Sequence, residues 1–416
     1  MRLLTIAWRN IGRNRRRSLL SLSAIAVAAL TITLLFALLG GMEEDLRSNL
    51  VNHYNGEVRI RHREYGEYER FNPLHLRVED ATGVIGALED RPEVSALSPR
   101  TSFPGAVFRA GRTYGLQGLG LDFSLEREYQ DLSEILVEGA FPDEVEVEGR
   151  RVPAAIGNGV AERLGLAIGD DFTLLTTTMS RGNNAMTFQV TGILDFPVGG
   201  LNAATFVAPL EAVQRLLRMD RSATQILLKS APGYTPEETA EAAATALAEL
   251  PQREELVVQP WTEIRTTYSF MEIARATYSF MALFFFVLGS TVIINTIMMT
   301  VVERRQEIGT LGALGMDGRQ ITKLFFYEAA IMSFIGSLLG VLGGVAIGLV
   351  LGRTGIDFSQ AMQGVSMEVS DVIYPKVEAP TTLLVLLFST IVASIASYLP
   401  VRGAARIEPV EALRAE

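Results

Sequence analysis

Two long apolar runs, Tyr278 to Val302 and Leu324 to Leu351, flank a short charged segment, Glu303 to Lys323 (ERRQEIGTLGALGMDGRQITK). Each run is long enough to cross a hydrocarbon core of about 30 Å, where a helix satisfies every backbone polar group without water. The segment between them is therefore a tight loop at one membrane face. Two further runs, Leu19 to Gly41 and Thr381 to Leu399, meet the same length rule. The chain is thus expected to be an α-helical membrane protein with four spans. Within the loop, Ile308, Leu311, Leu314 and Ile321 recur at helical spacing, while Arg304, Arg305, Glu307 and Arg319 supply a polar face. Such a loop presses one face on the membrane domain and offers the other to a partner.

The start of the chain, MRLLTIAWRNIGRNRRR, places Leu3, Leu4, Ile6, Ala7, Trp8 and Ile11 on one helical face. Residues 1–18 read as an interfacial helix lying along the membrane lipids, with Trp8 at headgroup level. The run that follows is too long for a signal peptide, and no convincing small-x-small cleavage site precedes Met42. Arg13, Arg15, Arg16 and Arg17 stand before it, and Glu43, Glu44 and Asp45 after it, which puts the N-terminus in the cytoplasm. Alternation then places 43–274 outside, 303–323 inside, 353–380 outside and the tail 400–416 inside, with Arg402, Arg406 and Arg414 in agreement. Pro400 is expected to end the fourth span.

The block between the first two spans has an ordinary soluble composition. Strand-like alternation occurs at Glu57 to Arg61 (EVRIR), Asp171 to Leu175 and Phe188 to Ile193. Helical runs intervene at Glu79 to Leu88, Pro209 to Leu217 and Pro236 to Leu250, the last with Pro236 at its start and Thr235 as its cap. A large α+β extracytoplasmic domain of two lobes is the expectation, one lobe formed by 52–125 with 222–262 and the other by about 140–210.

Several functions are disfavoured by the residues themselves. A net charge of −10, with basic residues clustered at membrane ends, argues against nucleic acid. The chain has no cysteine, and its lysines, Lys229, Lys323 and Lys376, never follow glycine, so it contains no phosphate loop ending Gly-Lys-Ser/Thr. His53, His62 and His75 lack metal-ligand spacing. Gly157-Asn158-Gly159 reads as a turn before VAERLGL and lacks the third glycine of a dinucleotide fingerprint. No nucleophile elbow or demanding carboxylate pair occurs, so no catalytic residue, bound cofactor or metal is assigned.

Two features within the spans stand out. Gly336, Gly340, Gly344, Gly348 and Gly352, spaced by four, line one side of the third span and let another backbone approach closely, within the chain or across a dimer. Glu328, about one turn inside that span, either pairs or caps at the interface or serves as a coupling acid. Thr291, Asn295 and Thr296 are expected to make interhelical hydrogen bonds.

The opening WRNIGRNRRRSLLSLSAIAVA, the loop ERRQEIGTLGALGMDGRQI, the glycine-rich third span and the tail ARIEPVEALRAE together resemble the MacB/LolC/LolE/FtsX class of ABC-transporter permeases. AAIGNGVAERLGLAIGDDFTLLT, VTGILDF and FVAPLEAVQRLL resemble that class's periplasmic domain, so the likeness covers nearly the whole chain. It implies a multi-pass protein of the bacterial inner membrane, without catalysis of its own. It also implies a homo- or heterodimeric membrane unit bound to two copies of a cytoplasmic ATPase that carries ATP and Mg. The loop then resembles a coupling helix, matched at Glu303, Arg304, Arg305, Glu307, Ile308, Gly309, Leu311, Ala313, Leu314 and Gly315. MacB carries its ATPase in the same chain and FtsX has a much smaller first external domain. The likeness therefore leans to the lipoprotein-release LolC/LolE branch, which GEVRIRHREYGEYERFNPL also resembles. Release of a lipoprotein or other amphipathic cargo is the leading implication. Peptide or drug efflux with a periplasmic adaptor, and FtsX-like signalling without transport, are the alternatives.

Overall fold

The computed structural model describes residues 5–7, 9, 15–197, 199–303, 305–358, 370 and 372–404. The chain forms two compact units, one of residues 1–45, 273–358 and 372–416, the other of 46–272 and 359–371. Of the N-terminal interfacial segment, Thr5–Ala7 and Arg9 are helical, while Leu3, Leu4, Trp8 and Ile11 lie outside the described residues.

Among the described residues four helices are long and apolar enough to cross a membrane. They are TM1 (Arg15–Asn49), TM2 (Arg265–Glu303), TM3 (Gly318–Thr354) and TM4 (Ala379–Ala404). All four overrun their apolar stretches, because helix formation does not stop where hydropathy does. Beyond Gly41, Met42, Glu43, Glu44, Leu46 and Arg47 are good helix formers, and the chain turns only at Gly56, whose φ is 70°. Pro400 does not end TM4, which continues to Ala404. A proline removes a single N–H, and membrane helices tolerate that loss where neighbouring groups compensate.

Ala29, Ile32, Val341 and Val385 form a buried cluster shared by TM1, TM3 and TM4. Several hydroxyls inside the spans bond back to their own helix, as Thr33 does to the Ala29 carbonyl at 2.8 Å and Ser333 to that of Ala329 at 2.7 Å. Thr291 behaves the same way, donating to the Val287 carbonyl at 3.0 Å instead of to another helix. A carbonyl one turn back is always within reach of such a hydroxyl. Asn295 is exposed, and the side chain of Thr296 lies outside the described residues.

The inserted domain is built on one ten-stranded sheet. Its strands are β1 (Val58–His62), β2 (Val94–Arg109), β3 (Arg112–Leu121), β4 (Leu136–Gly139), β5 (Val152–Gly157), β6 (Asp171–Thr177), β7 (Asn183–Leu194), β8 (Thr205–Pro209), β9 (Gln225–Ser230) and β10 (Leu256–Pro260). The order is β10-β1-β9-β2-β3-β8-β5-β7-β4, and β6 pairs with both β2 and β7. The pairings β2-β3-β8-β5-β7-β6-β2 therefore close a ring, around a core that includes Phe103, Ile156, Phe172, Leu174, Phe188 and Phe206. The Phe188 and Phe206 rings meet edge to face at 5.2 Å. A second core, including Val58, Ile60, Val84, Leu88, Ile226, Leu228 and Ala243, lies between the β10-β1-β9-β2 side and helices Ala81–Leu88 and Pro236–Ala246. The latter helix opens with a capping box between Thr235 and Glu238.

The 16-residue β2 belongs to both cores. Val94 to Arg100 pair with β9, and Arg100 to Arg109 pair with β3 across a tight turn at Ala110 and Gly111, whose φ values are 51° and 77°. The sequence pattern puts 52–125 with 222–262 in one lobe and about 140–210 in the other, and the pairings of β2 run across that division. Residues 101–121 belong with the ring, because a strand this long carries its pairing from one core into the next.

Candidate functional site

After Glu303 the chain forms the helix Arg305–Ala313, and Arg304 lies outside the described residues. The helix ends in a two-bond closure in which Met316 N–H donates to the Leu311 carbonyl at 3.1 Å and Gly315 N–H to that of Gly312 at 3.0 Å. This Schellman arrangement needs a left-handed residue, and Gly315 supplies it with φ of 90°. Gly315→Ala would meet no steric neighbour but would strain the backbone, at a cost of about 1 kcal/mol. Thermal unfolding of the variant in detergent checks this, and an unchanged midpoint would contradict it.

The apolar residues of the loop do not share one buried face. Ile321 is buried, Leu311 is half-buried, and Leu314 is 79 % exposed at the turn. The reason is the closure itself, which ends the helical period at Ala313 and turns Leu314 away from the direction the spacing predicts. Gly309 is buried, Glu307 half-buried and Ala313 exposed, and the side chains of Glu303, Arg305 and Ile308 lie outside the described residues. The outcome is a short helix with a large apolar side chain displayed at its end.

TM3's glycine face meets TM1. A Cβ on Gly336 would stand 3.0 Å from Ile25 Cβ, one on Gly340 2.2 Å from the Ala26 carbonyl oxygen, and one on Gly344 2.8 Å from Thr33 Cβ. Farther along, the face also meets the segment before TM4: a Cβ on Gly348 would come within 2.7 Å of Val377 Cγ2 while still 3.8 Å from Ala37 Cβ of TM1, and one on Gly352 within 2.7 Å of the Pro375 carbonyl oxygen. Four of the five glycines are buried and Gly352 is half-buried. Within the chain, the neighbours of this face are TM1 and the segment before TM4. Glu328 of TM3 is 1 % exposed.

In the inserted domain three deeply buried arginines lie on β1 and β2, where sequence spacing gave no signal. Arg59 and Arg61 are 2 % and 6 % exposed and share the Glu69 carboxylate, at 3.2 and 3.1 Å. Burial, with the Arg61 charge beside it, lowers the pKa of Arg59 to about 10. Arg100 pairs with the fully buried Glu126 at 2.6 Å, and its remaining N–H groups donate to the carbonyls of Asn52 and His53, each at 3.1 Å. Arg100 thus pins the turn Leu50–Asn55 onto β2. His53 also packs edge to face on Phe196.

Comparison with known proteins agrees with this architecture. The family model of the MacB-like periplasmic core domain matches residues 18–246, and that of the FtsX-like permease C-terminal region matches 279–409. The chain belongs to this family of MacB-like and FtsX-like ABC-transporter permeases. Within it the chain is a permease of LolC/MacB type, a membrane subunit with a MacB-like periplasmic domain inserted between its first two spans. The lipoprotein-releasing system transmembrane protein LolC of Neisseria meningitidis serogroup B is 24 % identical over 96 % of this chain and 94 % of that one. The macrolide export ATP-binding/permease protein MacB 2 of Aeromonas hydrophila is 25 % identical over 80 % of this chain and 48 % of its own length. Among solved structures, the periplasmic region of MacB from Actinobacillus actinomycetemcomitans matches with a TM-score of 0.38 at 13 % identity, covering 54 % of this chain and 97 % of that one.

Proposed function

We propose that the protein is the non-catalytic permease subunit of a transporter that couples ATP hydrolysis on a separate cytoplasmic chain to motion of its periplasmic domain. The observation that carries this reading is the turn after Arg305–Ala313, which displays Leu314 at 79 % exposure between two spanning helices. An apolar side chain held out by a fixed backbone turn suits a groove on a partner protein. Because these residues contain no Gly-Lys pair, ATP and Mg would be held by that partner.

In this reading the N- and C-termini face the cytoplasm and two ATPases engage a dimer of permease subunits, identical or paired with a second type. Nucleotide-driven closure of the ATPases shifts Arg305–Ala313. TM3, whose glycine face packs closely on TM1, passes that shift along the membrane domain. Glu328, buried near the start of TM3, is placed to favour one of the two arrangements. The near full-length likeness to a lipoprotein-releasing LolC supports a lipoprotein or similar amphipathic cargo. The likeness to macrolide-export MacB supports efflux with a periplasmic adaptor as the second reading.

The test is co-purification of the permease with its ATPase. Leu314→Asp and Leu311→Asp are each expected to weaken the complex at least 100-fold, since burying an unpaired carboxylate costs about 3 kcal/mol or more. If both variants retain the ATPase at wild-type levels while remaining folded, the docking assignment fails.

A further inference from the structure

A cavity of about 510 Å³ lies between the first turns of TM3 and the end of TM4. Arg319 and Lys323 enter it from TM3, Tyr398 and Arg402 from TM4, and among the described residues Asp317 is the one carboxylate in its wall. Among the described residues no carboxylate pairs with Arg319, Lys323 or Arg402, and all three are exposed. The cavity also sits at the N-terminus of a 37-residue helix whose N-cap, Asp317, makes no side-chain capping bond. The helix dipole there adds to the cationic field. Three cations against one carboxylate leave a site suited to an anion.

The apolar surface leading away from the cavity decides which anion. On TM4, Ile391, Ile395, Tyr398 and Arg402 follow one another at helical spacing, with the first three 54, 61 and 42 % exposed. On TM3, Lys323 stands at the end of a face that reaches Phe334, 48 % exposed, through Tyr327 and Ala330. An occupant therefore meets two exposed hydrocarbon-lined helices above a cationic end. A tyrosine sits at the level between them, as expected of a headgroup boundary. We propose that this cavity binds the headgroup of an anionic phospholipid, whose acyl chains lie along TM3 and TM4. A soluble phosphate would use the cations but leave the apolar stripes uncovered. The assignment goes beyond ATPase docking and does not depend on it.

The experiment uses the full chain in neutral detergent, without ATPase, and measures retention of phosphatidylglycerol, phosphatidylcholine and inorganic phosphate by native mass spectrometry and thermal shift. Phosphatidylglycerol is expected to bind and stabilise. Arg319→Gln, Lys323→Gln and Arg402→Gln should each lower that affinity about five-fold, and Arg402→Lys should restore most of it. Wild-type thermal unfolding of the lipid-free variants would establish that they are folded. Should one prove unfolded, the other two and Arg402→Lys carry the test. Equal retention of phosphatidylcholine, undiminished phosphatidylglycerol binding in the triple variant, or competition by inorganic phosphate at the same concentration would each overturn the proposal.

Discussion

Gly340→Ala is expected to lower the stability of the membrane unit by about 3 kcal/mol, an effect far beyond the size of one methyl group. A Cβ at this position would stand 2.2 Å from the Ala26 carbonyl oxygen, and also within 2.9 Å of Ala26 C and Cα. These are backbone atoms of TM1, so no rotamer change can make room and the helices must move apart. Overpacking where side chains can adjust costs about 1–3 kcal/mol, and a shift of two helix axes lies at or above the top of that range. Dispersion contacts along the whole seam are lost together, since lipid offers no hydrophobic drive to restore them. Gly86→Ala is the control. It lies in the helix Ala81–Leu88 with no atom within 4 Å of the added Cβ, and should stabilise by about 0.5–1 kcal/mol. Chemical or thermal unfolding in detergent, followed by membrane-helix signal, reads both. An unchanged midpoint in Gly340→Ala would mean that TM1 and TM3 are not packed in this way.

That seam was legible in the sequence as far as one helix can reveal. A four-residue spacing of glycine marks a face that wants close approach, but its partner, Ile25, Ala26 and Thr33, looks like any apolar stretch. The four spans were equally legible because the bilayer imposes a length. Their ends were not, because polar helix formers extend a helix without changing its hydropathy. The loop after TM2 illustrates a different limit. Helical spacing predicted one apolar face, yet just past the end of the helix the Gly315 closure reorients the chain and exposes Leu314. In the inserted domain, EVRIR reads as an alternating strand with an outward polar face. In the fold, helix and loop cover that face, so Arg59 and Arg61 are buried against Glu69. Periodicity marks which residues share a side of a strand, whereas what covers that side depends on segments distant in sequence. The same holds for the ring of strands, which β2 closes through its pairing with β6, residues far apart in sequence such as Val107 with Leu174.

Glu126→Ala is expected to destabilise the inserted domain by about 3–5 kcal/mol, because it strands the Arg100 guanidinium in a dry site. Arg100 is 1 % exposed and its partner 0 %, so water does not reach either charge to replace the lost pairing. The consequence should be local first. With Glu126 gone, the guanidinium can be solvated only by breaking its bonds to the Asn52 and His53 carbonyls, which releases the turn Leu50–Asn55 from β2. Hydrogen exchange on the full-length protein should therefore speed up at residues 50–55 and along the first half of β2, while the ring around Phe188 and Phe206 stays protected. Replacing both partners, Arg100→Met with Glu126→Leu, should recover most of the stability, since no buried charge is then left unpaired. It should not recover the turn's protection, because methionine has no N–H to hold the Asn52 and His53 carbonyls. A double variant in which exchange at 50–55 returned to wild-type rates would show that packing alone fixes the turn, and that Arg100 does not pin it.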